Sequence, residues 1–506
     1  MRRVFTAIVM LMMAGTVRAQ AFKAGFAERD ITPAIGMEHP GGYGKAYHRI
    51  FHDACKVRAA VFDDGNGRVA LVGIDALIIR RPSVEAARQR IHEKCGIDEK
   101  AILIGASHSH SAGPTGMVLP GEYDDAPEFI RSLAYDKSSC ADAGYLKRVE
   151  DAIAEAVVEA NENRVPARCN VGRGSEDKAA FNRRFHMKDG LTWTHPGQGN
   201  PDIIEPAGPI DPEVGVIGAW DAKDGKLLGC IVNYACHATT GPGGISADWI
   251  YYLERTVRGT WGGDAVVVFL QGACGDITQV DNRCPYDIKQ SGEAISRVVG
   301  GRVGAEAVKT LLSIQAAAGD LGPVKADAQM LEIKHRTPRP ERVEHCGQIV
   351  KKGYPKGPAA DTTEWTFAKE VLMLDWKLKR QPLANVEVQA IQIGPAVIVA
   401  NPAEYFCQYG LDIKKASNFP FTFVSELSND CVGYVPTEEA LGPHGGGYET
   451  RLTSYSNLEV AAGTIMKDAM LALAKKFAPA NVLQPKPAPP FKGKPWRYGE
   501  VPPELD

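Results

Sequence analysis

The chain has 506 residues, 44% hydrophobic and 24% charged, an ordinary globular composition with enough apolar material for one large core or two modest ones. Its net charge of -3 leaves no basic footprint for nucleic acid. Eleven cysteines occur without a Cys-x-x-Cys pair, which argues against a zinc ribbon or a thioredoxin-like site. In an oxidising compartment Cys55, Cys95, Cys140 and Cys169 are candidates for pairing, although the odd count leaves at least one cysteine over.

The chain opens with Met1-Arg2-Arg3, an apolar stretch from Val4 to Thr16, and Val17-Arg18-Ala19, a small-x-small cleavage pattern. This predicts a signal peptide over residues 1–19 and a secreted or periplasmic mature protein. No later segment approaches the roughly eighteen apolar residues of a membrane span, so no transmembrane segment is expected in the mature chain.

Strands are predicted at Val57 to Phe62, Val69 to Ile74, Ala101 to Ile104, Leu227 to Tyr234 and Ala265 to Leu270, each short, β-branched and bounded by Gly or Asp. Helical spacing marks Pro82 to Cys95, Tyr145 to Asn161 and Gly292 to Ser313. A hairpin is read from Val386 to Ile393 and Ala396 to Val399, turning at Gly394-Pro395. The mixture predicts an α/β fold with mixed β-sheets flanked by helices, in a single large domain over residues 20–480. Residues 481–506 form a Pro-rich tail, read as an extended strap or partly disordered.

Chemistry is expected where polar groups follow strands. His108-Ser109-His110 follows the apolar run Ala101 to Ile104, and side chains two apart on a strand share a direction, so two imidazoles can aim at one point. An isolated His-x-His is equally an ordinary polar loop; what strengthens the metal reading is the company. His237 closes Ile231 to Cys236, Gly275-Asp276-Ile277-Thr278 follows the strand at Leu270, and Glu404 follows the hairpin. Glu404 also suits the first turn of a helix. Ser428 to Tyr434 follows the strand-like Phe421 to Val424 and reads otherwise as a polar turn.

In this order the segments resemble the neutral/alkaline (non-lysosomal) ceramidases, in particular their N-terminal catalytic domain, over roughly residues 22 to 480. The resemblance is carried by Gly25 to Pro33 with Gly41-Gly42-Tyr43-Gly44, by the His52 to Val61 stretch, and by Gly105 to Pro114, which is similar to the family's Gly-Thr-His-Thr-His-Ser-Gly-Pro block. Phe181-Asn182-Arg183, His237 with Ser246-Ala247-Asp248, Pro402-Ala403-Glu404, Asn429 with Tyr434, and Tyr448-Glu449 continue it. The resemblance implies a Zn2+ held by His108, His237 and Glu404 with Tyr434 as a further ligand. It casts His110, Arg183 and Tyr448 as the groups that act on the substrate. Thr278 stands where the family has its active-site serine, and its β-methyl restricts the rotamer. The family's β-sandwich domain after the catalytic one is not expected within these 506 residues.

The function implied by the resemblance is that of a zinc-dependent hydrolase cleaving the amide of ceramide or an N-acyl lipid to an amine and a fatty acid, in which the metal acidifies a water and polarises the carbonyl. Its expected partners are a small-molecule or lipid substrate, with no nucleic acid. A different amide, ester or glycan-derived substrate is the alternative that Thr278 permits, and a non-catalytic exported binding protein is a second. No Gly-x-Ser-x-Gly elbow and no His-Glu-x-x-His helix is present, which sets aside a serine hydrolase and a zincin. Gly241-Pro242-Gly243-Gly244 and Gly445-Gly446-Gly447 lack a phosphate-loop lysine and read as site loops.

Overall fold

The computed structural model describes residues 21–355, 357, 360–499 and 501–505; the expected signal peptide lies outside the described residues. Buried β-branched runs assemble an eight-stranded sheet. Its strands lie in the order Val266–Gln271, Leu227–Tyr234, Glu213–Asp221, Val165–Ser175, Lys23–Asp30, Lys56–Asp63, Arg68–Ile74 and Ile102–Ala106. Most neighbours are antiparallel, but both outer pairs are parallel. Those outer strands are buried along almost their whole length, as expected where both faces are covered.

The sheet curls so that its outer strands approach. Gly73 makes this possible, because a Cβ there would run into the main-chain oxygen of Phe269. Gln271 Nε2 completes the contact by donating to Ser107 O at 3.1 Å. The loops after Ala106, Tyr234 and Gln271 are thereby gathered at one end of the sheet.

A second sheet, Val324–Lys334, Leu383–Ile393, Ala396–Ala400 and Phe421–Ser425, packs its Ile391, Ile393, Ile398 and Phe423 into the same core. Helices Arg81–Cys95 and Ala143–Glu162 cover the other face of the first sheet, and Ala462–Ala474 covers the second, giving a helix–sheet–sheet–helix stack. Glu293–Gln315 packs on Val165–Ser175 and Glu213–Asp221, and Trp249–Trp261 packs against that helix and on Val266–Gln271. Local signals place several ends: Pro82 opens the first helix and Gly96, at φ 67°, closes it, while the Asp142 carboxylate caps the second on Tyr145 N.

The mixed α/β architecture expected from the sequence is therefore present. The hairpin is longer than read, Leu383–Ile393 with Ala396–Ala400, and the strand before His108 is displaced to Ile102–Ala106. All eleven cysteines are free thiols, so none of the candidate disulfides forms. Among the described residues, those from 481 onward have no regular secondary structure, and those from Lys486 onward are exposed. Among the described residues no helix is long and apolar enough to cross a membrane.

Candidate metal centre

The gathered loops bring His108, His110, His237 and Glu404 together. His108 lies two residues past its strand with φ 61°, so the strand alternation expected to aim the two histidines does not reach them. Convergence comes from the turn, and it is tight: His110 Nε2 is 3.3 Å from His108 Nε2. Glu404 lies in a strand of its own, Ala403–Tyr405, paired in parallel with Gly433–Val435 so that Glu404 stands opposite Tyr434. The helical alternative for Glu404 is thus replaced by a register that puts the carboxylate and the phenol side by side.

His108, His237 and Glu404 are each 1% exposed. Glu404 Oε2 is 3.3 Å from His108 Nε2 and 3.1 Å from His237 Nε2. The imidazole tautomers follow from the opposite ring atoms. His108 Nδ1 faces Leu77 O at 2.9 Å, and His237 Nδ1 faces Cys274 O at 2.7 Å and Ile277 O at 3.0 Å; a carbonyl only accepts, so each Nδ1 carries the proton. In the neutral rings both Nε2 lone pairs then point at an anionic oxygen. Three acceptors meeting in a buried place call for a cation, and main-chain carbonyls on the far nitrogen are the usual support of a ligating histidine.

The residues present fit a divalent ion. The donor nitrogens of His108, His110 and His237 lie within 4.8 Å of one another, which adds His110 to the possible ligands. Imidazole and carboxylate donors suit zinc and other transition ions alike. Burial and the Arg183 charge hold the His237 imidazole down to about 4, and burial with the two neighbouring rings holds His110 well below its ordinary range. Burial opposes ionisation of Glu404, and His108 and His237 outweigh it, holding the carboxyl well below the usual carboxylate range, only when protonated at Nε2; with neutral rings the carboxylate needs a cation in their place.

Arg183 follows the short strand Phe181–Asn182 and is held from several sides. Its Nε donates to Glu449 Oε1 at 2.8 Å, its Nη2 to Gly275 O at 2.8 Å and to Tyr434 Oη at 3.2 Å, and its Nη1 is 3.3 Å from His237 Nε2. Tyr448 Oη lies 3.1 Å from Tyr434 Oη. Both tyrosines are pushed up, by burial and then by the Glu404 charge, so they stay protonated hydrogen-bond donors.

The cavity beside these groups measures about 250 Å3 and is lined by Tyr43, Leu77, Met117 and Tyr455 as well as His108, His110, Glu404, Tyr434 and Tyr448. Thr278 is not among its lining residues. Its Oγ1 donates to Gln279 Oε1 at 2.9 Å in the short strand Ile277–Thr278.

Two acidic residues central to this arrangement have no role that the sequence alone assigns. Glu449, fully buried, also accepts from Arg184 Nη1 at 2.8 Å and Thr194 Oγ1 at 2.6 Å. Glu426 accepts from Cys274 N at 2.9 Å and Tyr405 N at 2.7 Å, fixing the Gly275 loop to the Glu404 strand. Glu449 is visible in the sequence as the partner of Tyr448 in a Tyr-Glu pair; nothing local distinguishes Glu426.

A mixed α/β protein with two stacked sheets and a buried histidine–carboxylate cluster at the strand ends is the class that these features define. No family model and no curated protein matches the chain. Solved structures do. One, described as neutral ceramidase from Pseudomonas aeruginosa, superposes with a TM-score of 0.65 at 19% identity, covering 92% of this chain and 76% of that one. Another, described as ceramidase complexed with C2, gives 0.63 at 18% identity, covering 93% and 77%. The chain has the neutral ceramidase fold and is a divergent example of it.

Proposed function

We propose that the chain is a metal-dependent hydrolase, most simply a zinc enzyme, whose residues 20–480 form one catalytic domain acting on a carboxylic amide. The observation that carries this reading is the convergence of two carbonyl-anchored imidazoles and a buried carboxylate beside a tyrosine-lined cavity. His108, His237 and Glu404 would hold the ion, with Tyr434 nearest to complete the set. When bound, a divalent ion supplies Lewis acidity toward an acyl carbonyl and lowers the pKa of a water.

The chain's own groups do the rest. Tyr448 and Tyr434, with Arg183 behind them, present donors to the carbonyl oxygen as it gains charge, the preorganised arrangement that contributes most in such sites. His110 Nε2 faces the cavity beside His108 and is placed to take a proton from the attacking water and return it to the leaving nitrogen. Glu449 fixes Arg183 and leaves its Nη atoms aimed at the centre. Thr278, its hydroxyl turned to Gln279, acts through packing.

Ceramide or another N-acyl lipid is the substrate suggested by the names of the similar structures. A different amide, ester or glycan-derived substrate is favoured by a specific observation, the charged Arg80, Glu122, Glu370, Lys377 and Asp430 that line the adjoining cavity beyond Tyr43 and Tyr455. Incubation of the mature chain, zinc-loaded and chelator-stripped, with short- and long-chain ceramides and with an activated acyl ester tests the reading. Zinc-dependent release of a carboxylic acid from any of them supports the hydrolase; equal release after chelation contradicts it.

A further inference from the structure

A second cavity of about 110 Å3 adjoins the first, and Tyr43, Met117 and Tyr455 line both. Met373, Leu374 and Leu378 give it an apolar wall, whereas Arg80, Glu122, Glu370, Lys377 and Asp430 make the remainder charged. These charges are matched within the protein. Lys377 Nζ donates to Glu122 Oε1 at 3.0 Å with Arg80 Nη2 3.5 Å from the same oxygen, Lys369 Nζ lies 2.9 Å from Glu370 Oε1, and Arg81 Nε lies 3.2 Å from Asp430 Oδ2.

That pattern selects among ligands. An alkyl chain entering the chamber would strip water from these ion pairs and return no hydrogen bond. A charged ligand finds no unbalanced partner. A hydroxyl both donates and accepts, so it meets carboxylates and cations equally, and a compact carbon skeleton can lie on the Met373 and Leu374 wall.

We propose that the site takes an acylated compound whose other portion is compact, neutral and polyhydroxylated, an amide or ester of an amino sugar or polyol. Its hydroxyls occupy the Arg80–Glu122–Lys377 chamber and its acyl group lies at His108, His237 and Glu404. The chemistry rests on the hydrolase reading: water oxygen bonds to the acyl carbon, the carbon–nitrogen or carbon–oxygen bond breaks, and a water proton leaves with the amine or alcohol, giving a carboxylic acid.

Binding and chemistry are measured separately. Saturation-transfer NMR on the chelator-treated chain compares N-acetylglucosamine with N-cyclohexylacetamide, which keeps the acetamide and a six-membered ring but has no hydroxyls. The expected result is binding of the sugar tighter by about tenfold or more, with Lys377→Met and Glu122→Gln each reducing that preference about tenfold. Equal affinity, tighter binding of the cyclohexyl compound, or a preference that both variants leave intact overturns the proposal. Acetate release after zinc is restored tests the hydrolase reading independently. Selective binding without release from the sugar or from an activated acetyl ester removes the hydrolase and leaves a hydroxylated-ligand site, whereas zinc-dependent release from the ester without any binding preference removes the proposed substrate class alone.

Discussion

His108 and His237 each commit Nδ1 to a main-chain carbonyl, and that single proton placement decides what their Nε2 atoms can do. Arg183 is the next constraint. Replacing it with Met should lower kcat/KM by about 10²-fold, because the Tyr434 hydroxyl loses the guanidinium that positions it toward the developing oxyanion. Thermal unfolding should also fall, because Glu449 would keep its burial while losing one of its two arginines. Thr278→Ser should leave kcat within about twofold, since removing a β-methyl does not redirect a hydroxyl already bonded to Gln279. A tenfold gain or loss would place that hydroxyl in the reaction. Strand-end histidines and carboxylates were legible in the sequence as residue types at loop positions. The φ of 61° at His108 and the carbonyls of Leu77 and Cys274 were not, because main-chain acceptors leave no mark in a side-chain pattern.

Among the elements, long apolar strands and strongly periodic helices were readable, and their neighbours were less so. Phe181–Asn182, Ile277–Thr278 and Ala403–Tyr405 are too short for any periodicity, yet the first leads directly into Arg183 and the others hold Thr278 and Glu404. Thr363–Leu378, which supplies Glu370 and Lys377, gives no clear signal: it is buried along much of its length and its apolar residues do not keep to one stripe. A further prediction belongs to the joint between the Lys56–Asp63 strand and the Trp249–Trp261 helix. Burial opposes ionisation of Glu254, but Arg58, Lys56 and Arg258 outweigh it and hold the carboxyl down to about 2. A depressed carboxylate stabilises the fold above its unfolded pKa near 4.5 and loses that contribution as pH falls toward about 2. Burial drives Asp75, on the same Arg58, the other way to about 6, so the comparison must isolate Glu254. The difference in unfolding free energy between the wild-type chain and Glu254→Gln should be on the order of 3 kcal/mol at neutral pH and vanish between about pH 4.5 and pH 2. A difference independent of pH would mean that packing, and not the ionised carboxylate, holds this joint.

At the scale of the whole molecule, the stack of helices and two sheets fixes the direction of every loop that reaches the site. Alternating strands and helices pointed to the α/β class directly from the sequence. The pairing of distant segments, such as Gly105 with Ser428 across the two sheets, depends on contacts that local pattern does not encode. The curl of the first sheet likewise rests on a close approach at Gly73 that sequence alone does not announce. Because the ligands come from separate segments, a bound ion should join parts of the fold that unfolding would separate. Zinc at about a hundredfold excess over its Kd should add about 2.7 kcal/mol of stability, seen as a rise in Tm that chelation reverses. The most direct measurement is equilibrium dialysis against zinc followed by elemental analysis of the wild-type chain, His108→Ala and His237→Ala, with circular dichroism to establish that each is folded. One zinc per wild-type chain and none in either folded variant is the predicted result. Stoichiometric zinc in both variants, or none in the wild type, would contradict the assignment of the centre.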